Sequence, residues 1–356
     1  MKIRSVTSFV GVEKNGTLDE KKLQILQAFN QDIQHEFESN EYELQSLRCA
    51  TNPFPEYLND VDHKKAVLIV QLLESELQNI GFEYISIGTA AIEYLDLFPL
   101  IPLILAETET VFATAQMASF SDSMISIHAI KAIASIMKQL STQDENGFGN
   151  LFFAGLAKVP GGIPFLPAAY KAKDDIEISF ALAIESADIA VAAFSQANTL
   201  AEAGQCYQQA IETQSKTLEE IVTPLGEQYG MTFLGYDFTP APFVVLESSA
   251  GGALERLSGS PVGELSSLSA AAFLMSVLDV AHFKRSGFNG LMLPVLEDNI
   301  LAQRAAEGKL SLKDLLLYST VCGTGLDTVP LPGDITEEQL QAILLDVASL
   351  AVRLNK

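Results

Sequence analysis

Four acidic residues are candidates for metal binding or acid–base catalysis in this chain. Glu297 and Asp298 directly follow the apolar run GLMLPVL. Asp327 lies in the glycine-spaced segment CGTGLD, and Asp237 ends the β-like segment MTFLGYD. Carboxylates that converge can hold a hard cation, Mg²⁺ or Ca²⁺, or can work as a general acid and base. The alternative for Asp298 is structural, because an acidic residue before a helix accepts hydrogen bonds from the first helical amides.

A second group of candidates surrounds Cys322, whose position in a loop suggests a reactive thiol. The backbone amides of Gly323, Thr324 and Gly325 could form a nest that binds an anion. The alternatives are a tight turn that requires positive φ and a small thiol packed in the core. Arg48, which we expect at the end of a strand, is the candidate to bind a carboxylate or phosphate, or else forms an ordinary salt bridge.

The elements that must position these residues alternate between β-like and helical segments. We predict strands at Ile3–Val12 and Gly290–Leu296, and a loop followed by a strand at Cys322–Leu331. About ten β-like segments, most of them separated by a helix, indicate a largely parallel sheet, since parallel strands need long crossover connections. No low-complexity linker divides residues 1–356. We therefore predict one large α/β domain whose sheet closes, or nearly closes, into a barrel surrounded by helices.

Two helix starts carry the pattern of a capping box. Thr17–Glu20 predicts the start of the first long helix, and Thr336–Gln339 predicts the start of the last one. The first of these helices shows apolar residues at three- and four-residue spacing, which is typical of one buried face. That face consists of Leu26, Phe29, Ile33 and Phe37.

Composition narrows the classes of function. The 45 acidic residues outnumber the 22 basic ones and give a net charge of −23, which disfavours binding to nucleic acid. The three cysteines form no CxxC pair, a pattern typical of reduced thiols in the cytoplasm. No uninterrupted apolar stretch reaches the ~18 residues of a membrane helix. We expect a cytoplasmic protein that binds neither nucleic acid nor membrane.

Several segments of the chain resemble the domain of unknown function 711 family, also called uncharacterised protein family 0210. The likeness runs from the first strand to the last helix, and its final two segments are the most specific. The segments are RCATNPFP (Arg48–Pro55), ETETVFATAQMAS (Glu107–Ser119), AKVPGGIPFLPAAY (Ala157–Tyr170), FNGLMLPVLEDNILAQRAAEG (Phe288–Gly308) and YSTVCGTGLDTVPLPGD (Tyr318–Asp334).

This resemblance implies an α/β barrel similar to the pyruvate formate-lyase-like fold, in which a ten-stranded sheet encloses a buried loop. Two departures from related proteins bear on function. Family members usually continue past the last helix with a proline-rich tail, whereas this sequence stops at RLNK, so we predict that the tail is lacking. Glycyl radical enzymes of similar fold need a C-terminal glycine loop that nothing here resembles, so radical chemistry is not carried over.

Our leading hypothesis is an enzyme that acts on a small polar or anionic metabolite at an acidic centre. Glu297, Asp298, Asp327 and Asp237 would form that centre, with or without a divalent ion. Arg48 and the glycine-spaced amides would hold an anionic group. The alternatives are a small-molecule binding or sensor protein without catalysis, and a structural protein whose glycine loops are only turns. A homodimer is the expected assembly, since two-fold oligomers are the commonest.

Overall fold

The computed structural model describes residues 2–121, 123–173 and 177–355. Its strands form one eight-stranded sheet in the order β6-β5-β4-β3-β1-β7-β8, with β2 paired to β1. The pairings of β1 with β3, β3 with β4, β4 with β5 and β5 with β6 are all parallel. The strands are β1 (Lys2–Val10), β2 (Glu43–Leu44), β3 (Leu47–Thr51), β4 (Tyr84–Ala90), β5 (Val111–Gln116), β6 (Phe153–Leu156), β7 (Ser179–Glu185) and β8 (Thr232–Asp237).

The predicted α/β class and the largely parallel sheet are confirmed. The described sheet has eight strands, fewer than the roughly ten β-like segments counted in the sequence. The strand order has β6 at one end and β8 at the other, so closure into a barrel stays a prediction. One domain over residues 1–356 also stays a prediction, and Met1 and Lys356 lie outside the described residues.

Helices separate most of the strands. No helix in the described part of the chain is long and apolar enough to cross a bilayer. The α-helices are α1 (Glu20–Ser39), α2 (Pro55–Leu58), α3 (His63–Asn79), α4 (Leu100–Ala106), α5 (Ile127–Leu140), α6 (Ala187–Gln196), α7 (Leu200–Tyr229), α8 (Ala250–Ser258), α9 (Ser267–Val280), α10 (Asn299–Ala306), α11 (Leu312–Cys322) and α12 (Glu337–Leu354).

The capping box predicted at the start of α1 is wrong. Asp19 is the N-cap, and its Oδ1 accepts hydrogen bonds from the amides of Lys21 and Lys22 at 2.9 and 3.3 Å. The Thr17 hydroxyl instead donates to Asn15 Oδ1 at 2.8 Å, which orders the preceding turn. The buried face predicted for α1 is confirmed and consists of Leu26, Phe29, Ile33 and Phe37.

The two strands predicted near the candidate site are also wrong. Gly290–Leu296 is irregular and ends in a turn, in which the Glu297 amide donates to Pro294 O at 3.0 Å. Pro294 has no amide to offer a β-ladder, so a buried apolar run there need not be a strand. Cys322 ends α11, and the described chain after it, Gly323–Leu331, contains no strand. Capping boxes at Ser311 and, as predicted, at Thr336 start α11 and α12.

The chain divides into two compact units. Unit 1 comprises Met1–Arg4, Leu182–Val222 and Gly235–Leu331. It contains α6, α8, α9, α10 and α11 together with the carboxyl ends of β7 and β8. Aromatic rings fill part of its interior, with the Phe238 and Phe283 rings in edge contact at 4.9 Å between centroids. Every acidic candidate from the sequence belongs to this unit.

Unit 2 comprises Ser5–Ala181, Thr223–Leu234 and Pro332–Lys356. It includes the parallel strands β3, β4, β5 and β6, and the segment that follows β6 packs against β1 and β4. The hydroxyl of Thr7 donates to Pro164 O at 2.7 Å, and the hydroxyl of Ser86 donates to Ala169 O at 2.6 Å. A buried apolar cluster lies beside these bonds and includes Phe9, Ala50, Ala169 and Ala181.

Candidate functional site

Arg4 joins two carboxylates in unit 1. Its Nη1 donates to Glu185 Oε1 at 3.1 Å, and its Nη2 donates to Glu297 Oε2 at 2.9 Å. Arg4 lies in β1 and Glu185 ends β7, while Glu297 stands in the turn before α10. The side chain of Glu185 is 3% exposed and that of Glu297 is 37% exposed, so the cluster extends from the interior to the surface. Burial acts to lower the pKa of Arg4, but the charges of Glu297 and Glu185 outweigh it and raise the pKa.

Asp327 belongs to the same cluster. The pKa of its carboxyl group is raised from 3.8 to about 7, because burial penalises the charged form and the negative charge of Glu297 adds to that penalty. The positive charge of Arg4 acts in the opposite direction and is the smaller effect. Asp327 remains half-buried, so solvent reaches part of the residue. A carboxyl group with a pKa near neutrality can both give and take a proton at physiological pH.

A small pocket opens beside Asp327, with room for about one water molecule. Two segments that are distant in sequence meet there. Their close approach requires glycine at position 290, because a Cβ on Gly290 would overlap the Thr324 hydroxyl. The lining is mainly apolar and consists of Leu291, Leu293, Leu315, Ser319, Cys322, Gly325, Leu326 and Asp327.

Cys322 is buried at the end of α11 and borders this pocket. Burial raises the pKa of its thiol, although the backbone amides of Thr324, Leu291 and Gly325 act in the opposite direction. The thiol is therefore held in its neutral form at neutral pH, in which it is a weak nucleophile. The structure favours the alternative considered from the sequence, a small thiol packed in the interior.

The glycine-spaced loop begins as a helix cap. Gly323 has φ of 73°, and its amide donates to Ser319 O at 3.0 Å, which ends α11. Gly325 also has a positive φ, 92°, so both glycines permit a tight turn. The expected anion nest thus loses the Gly323 amide to the helix. The amides of Thr324 and Gly325 face the cysteine sulfur instead.

Asp298 caps α10, as the structural alternative predicted, and it also reaches the start of α8. Its Oδ1 accepts from the amides of Ile300 and Leu301 at 2.9 and 3.1 Å. The same oxygen accepts from the Ser249 hydroxyl at 2.7 Å, and Oδ2 accepts from the Gly251 amide at 3.1 Å. Both helix N-termini direct their positive ends at this one carboxylate. Its hydrogen-bonding capacity is therefore used within the protein.

Asp237 ends β8, as predicted, and is fully buried. Its Oδ1 accepts from the Thr239 amide and hydroxyl at 3.0 and 2.6 Å and from the Asn289 amide at 3.0 Å. Its Oδ2 accepts from the Phe288 amide at 2.7 Å. Burial raises the pKa of Asp237 to about 6 despite these hydrogen bonds. The side chain fastens the segment after Gly287 to the end of β8.

The carboxylates expected to share Mg²⁺ or Ca²⁺ thus bind different partners within the protein. Glu297 pairs with Arg4, while Asp298 and Asp237 are saturated by donors of the chain itself. Among the residues that the structure describes, no three His, Cys, Asp or Glu side chains form a group able to hold a metal ion. Glu297 and Asp327 are the two members that interact electrostatically, as an acid pair would require.

Comparison with known proteins places the chain in a family. The model of the family described as "Uncharacterised ACR (DUF711)" matches residues 1–356. The chain belongs to this family. A UPF0210 protein of Pyrobaculum aerophilum is 30% identical over 213 residues, which cover 57% of this chain and 47% of the relative. The chain therefore spans about half the length of that relative in the alignment.

Other relatives match over more of their length. A UPF0210 protein of Pyrobaculum arsenaticum is 26% identical over 326 residues, which cover 87% of this chain and 71% of the relative. A UPF0210 protein of Thermoanaerobacter sp. is 25% identical over 306 residues, which cover 82% of this chain and 67% of the relative. These names state no activity, so the function of this DUF711 chain must be argued from its own residues.

In this DUF711 chain, Arg48 lies in unit 2. It is the second residue of β3 and does not end that strand, contrary to the expectation from the sequence. Its Nε donates to Ser46 Oγ at 2.9 Å, and its guanidinium lies 5.7 Å from the centroid of the Tyr84 ring. Sequence reasoning missed Arg4 and Glu185. The signal for Glu185 was a single charged residue in the otherwise uncharged strand β7, which predicts a partner of opposite charge. Arg4 carried no such signal, because β1 also contains Lys2 and several polar residues.

Proposed function

We propose that unit 1 carries the active site of an enzyme that moves a proton to or from a small polar metabolite. The observation that carries this proposal is the raised pKa of Asp327, about 7, to which the charge of Glu297 contributes. The Asp327 carboxyl group also lines a pocket. Strongly perturbed titratable groups that border a cleft are typical of catalytic sites. Neither the fold nor membership of the family indicates which reaction is catalysed.

Each residue of the cluster has a separate role in this proposal. Asp327 carries the proton, and Glu297 raises its proton affinity through the charge that it holds nearby. Arg4 fixes Glu297 by a 2.9 Å hydrogen bond and is itself fixed by Glu185. The mainly apolar pocket lining limits the contact of the Asp327 carboxyl group with water, which strengthens these electrostatic effects. Because the pocket is small, only the reacting end of a substrate would enter it.

Proton exchange with solvent tests the proposal even while the substrate is unidentified. The chain is incubated with a mixture of polar metabolites in D₂O, and the mixture is returned to H₂O to remove deuterium from oxygen and nitrogen. Mass spectrometry then detects deuterium bound to carbon, or new products. We expect a mass change in at least one metabolite. Asp327→Asn should abolish it, since the amide cannot take up a proton at neutral pH. Asp346→Asn, which alters an exposed carboxylate on α12, should leave it unchanged.

Two results would count against the enzyme. One is the absence of any mass change with the unmodified chain, and the other is an equal change with Asp327→Asn. Circular dichroism of both variants ensures that a loss reflects chemistry and not unfolding.

A small-molecule binding protein without catalysis is the second candidate, and the largely apolar pocket lining favours it. A ligand that binds only the folded chain raises the melting temperature. Stabilisation by a metabolite without deuterium exchange or turnover would assign the site to binding. The third alternative is a purely structural protein, in which no pocket would meet the Glu297 and Asp327 loops. The pocket beside Asp327 counts against it, and Glu297 is not among the lining residues.

Three further points stay predictions. The pyruvate formate-lyase-like barrel is supported by the parallel order of β6, β5, β4, β3 and β1, and an experimental structure would test its closure. The homodimer is tested by light scattering of the purified chain, where a monomer mass would contradict it. The cytoplasmic location is tested by fractionation of the source cells.

A further inference from the structure

Two polar side chains lie buried at the carboxyl ends of β4 and β5 in unit 2. Thr89 is paired in register with Thr114, and Gln116 follows Thr114 by two residues on the same face of β5. Thr89 is 4% exposed and Gln116 is 1% exposed. The carboxyl edge of a parallel sheet is where α/β proteins collect their ligands. These residues belong to neither the acidic cluster nor the pocket of unit 1.

The other polar side chains on this face are satisfied, whereas these two are not. The Ser86 hydroxyl donates to Ala169 O at 2.6 Å, and the Thr114 hydroxyl donates to Gly88 O at 3.4 Å. Thr89 Oγ1 and both amide atoms of Gln116, Oε1 and Nε2, have no hydrogen-bond partner among the described residues. Leaving a buried polar group without a hydrogen-bond partner costs free energy. A bound group that pairs with them would recover that free energy.

The protein covers the backbone beside Thr89 closely. A Cβ on Gly88 would lie 3.1 Å from both the Tyr170 Cβ and the Pro53 Cα, and the φ of 77° at this position also favours glycine. The Tyr170 hydroxyl donates to Val159 O at 2.8 Å, which ties the covering segment to itself. Because Thr89 and Gln116 are themselves almost fully buried, a hydrogen bond that either side chain forms is stronger than one at the surface.

We propose that Thr89 and Gln116 form a binding site for a small uncharged group with a donor and an acceptor side by side, of which a carboxamide is the simplest. The Gln116 amide offers two donors and one acceptor, and an incoming carboxamide matches it by a reciprocal pair of hydrogen bonds. The Thr89 hydroxyl supplies a further donor or acceptor. Neither side chain carries a charge that would compensate an ionic ligand for its loss of hydration.

Acetamide is the probe for this site, and acetate is its charged counterpart of the same size. The test uses the full chain and measures the melting temperature and the NMR titration with each compound. We expect acetamide to bind and to raise the melting temperature, and acetate to do neither. Gln116→Met and Thr89→Val keep the side-chain volume but remove the polar atoms, so each should weaken acetamide binding about tenfold.

Gln139→Met is the matched control, because Gln139 is exposed on α5, and it should leave binding unchanged. Circular dichroism verifies folding, and if one site variant does not fold, the other carries the test. Equal binding of acetate, unchanged binding in the folded site variants, or no binding of acetamide to the unmodified chain would each overturn the proposal. The last result would mean that ordered water alone satisfies these groups.

Discussion

The guanidinium of Arg4 donates to Glu297 at 2.9 Å across 293 positions of sequence. The pair sets the charge that Asp327 experiences, because Glu297 raises the pKa of the Asp327 carboxyl group and Arg4 lowers it. The two partners of one ion pair thus act on the proton of a third residue in opposite directions. That opposition can be measured.

Removing Glu297 and removing Arg4 should shift the pKa of Asp327 in opposite directions. Glu297→Gln deletes the nearby negative charge, so we expect the pKa to fall below about 7. Arg4→Met deletes the positive charge, so we expect it to rise. The measurement is a ¹³C NMR titration of the Asp327 carboxyl carbon, identified by its loss in Asp327→Asn. Glu227→Gln, on the exposed side of α7, is the control for a change in net charge. Shifts of the same sign in both variants would disprove the arrangement.

Asp327 should also make stability depend on pH. Its pKa rises from 3.8 to about 7 on folding, so between these values the folded chain holds a proton that the unfolded chain has released. Stability therefore falls as pH rises through this window, by at most about 4 kcal/mol and by less because the residue is half-buried. Asp327→Asn should lack this loss and match or exceed the parent chain at pH 8. Urea unfolding at several pH values measures the difference, and parallel pH profiles would contradict the prediction.

Asp298 should matter more than an ordinary helix cap. Asp298→Ala removes the acceptor for the starts of both α8 and α10 and leaves buried donors unpaired, so we expect a loss of about 3 kcal/mol or more. Asp62→Ala is the matched comparison, because Asp62 is exposed and caps α3 by accepting one hydrogen bond, from the backbone amide of Lys65. Its loss should be about 1 kcal/mol. Denaturant unfolding measures both, and equal losses would show that the second helix start gains nothing from Asp298.

The three thiols should react at different rates. Cys206 is exposed on α7, whereas Cys49 and Cys322 are buried, and burial raises the pKa of both buried thiols. A thiol reagent at pH 8 should therefore modify one cysteine rapidly and two slowly, because the thiolate is the reacting form. Cys206→Ser should abolish the rapid phase, as followed by mass spectrometry. Rapid modification of Cys322 would instead support the nucleophile considered from the sequence.

Local patterns in the sequence predicted one helix face and one helix start correctly, although the capping box expected at Thr17 was wrong. The spacing of Leu26, Phe29 and Ile33 predicted the buried face of α1, and Thr336 predicted the start of α12, because both depend on neighbours in the chain. The apolar run at Gly290–Leu296 was misleading, since burial alone does not distinguish a strand from an irregular buried segment. The exact number of strands was missed for the same reason.

The candidate site could be predicted only in part. Glu297 and Asp327 were found because they stand beside glycine- and proline-rich segments. Arg4 and Glu185 were missed because their pairing spans 181 positions and depends on the order of the strands. The roles of Asp298 and Asp237 depend on which donors the folded chain brings to them. No spacing rule in the sequence specifies such donors.

The single carboxylate of Asp298 accepts hydrogen bonds from the starts of both α8 and α10. The start of α8 cannot move away from the start of α10 without breaking the hydrogen bonds that Ser249 and Gly251 donate to Asp298. Glu297 is the residue next to Asp298, whereas Asp327 stands on irregular chain. Substitutions in the loop around Asp327 could therefore change the pKa of its carboxyl group while the charge of Glu297 keeps its position.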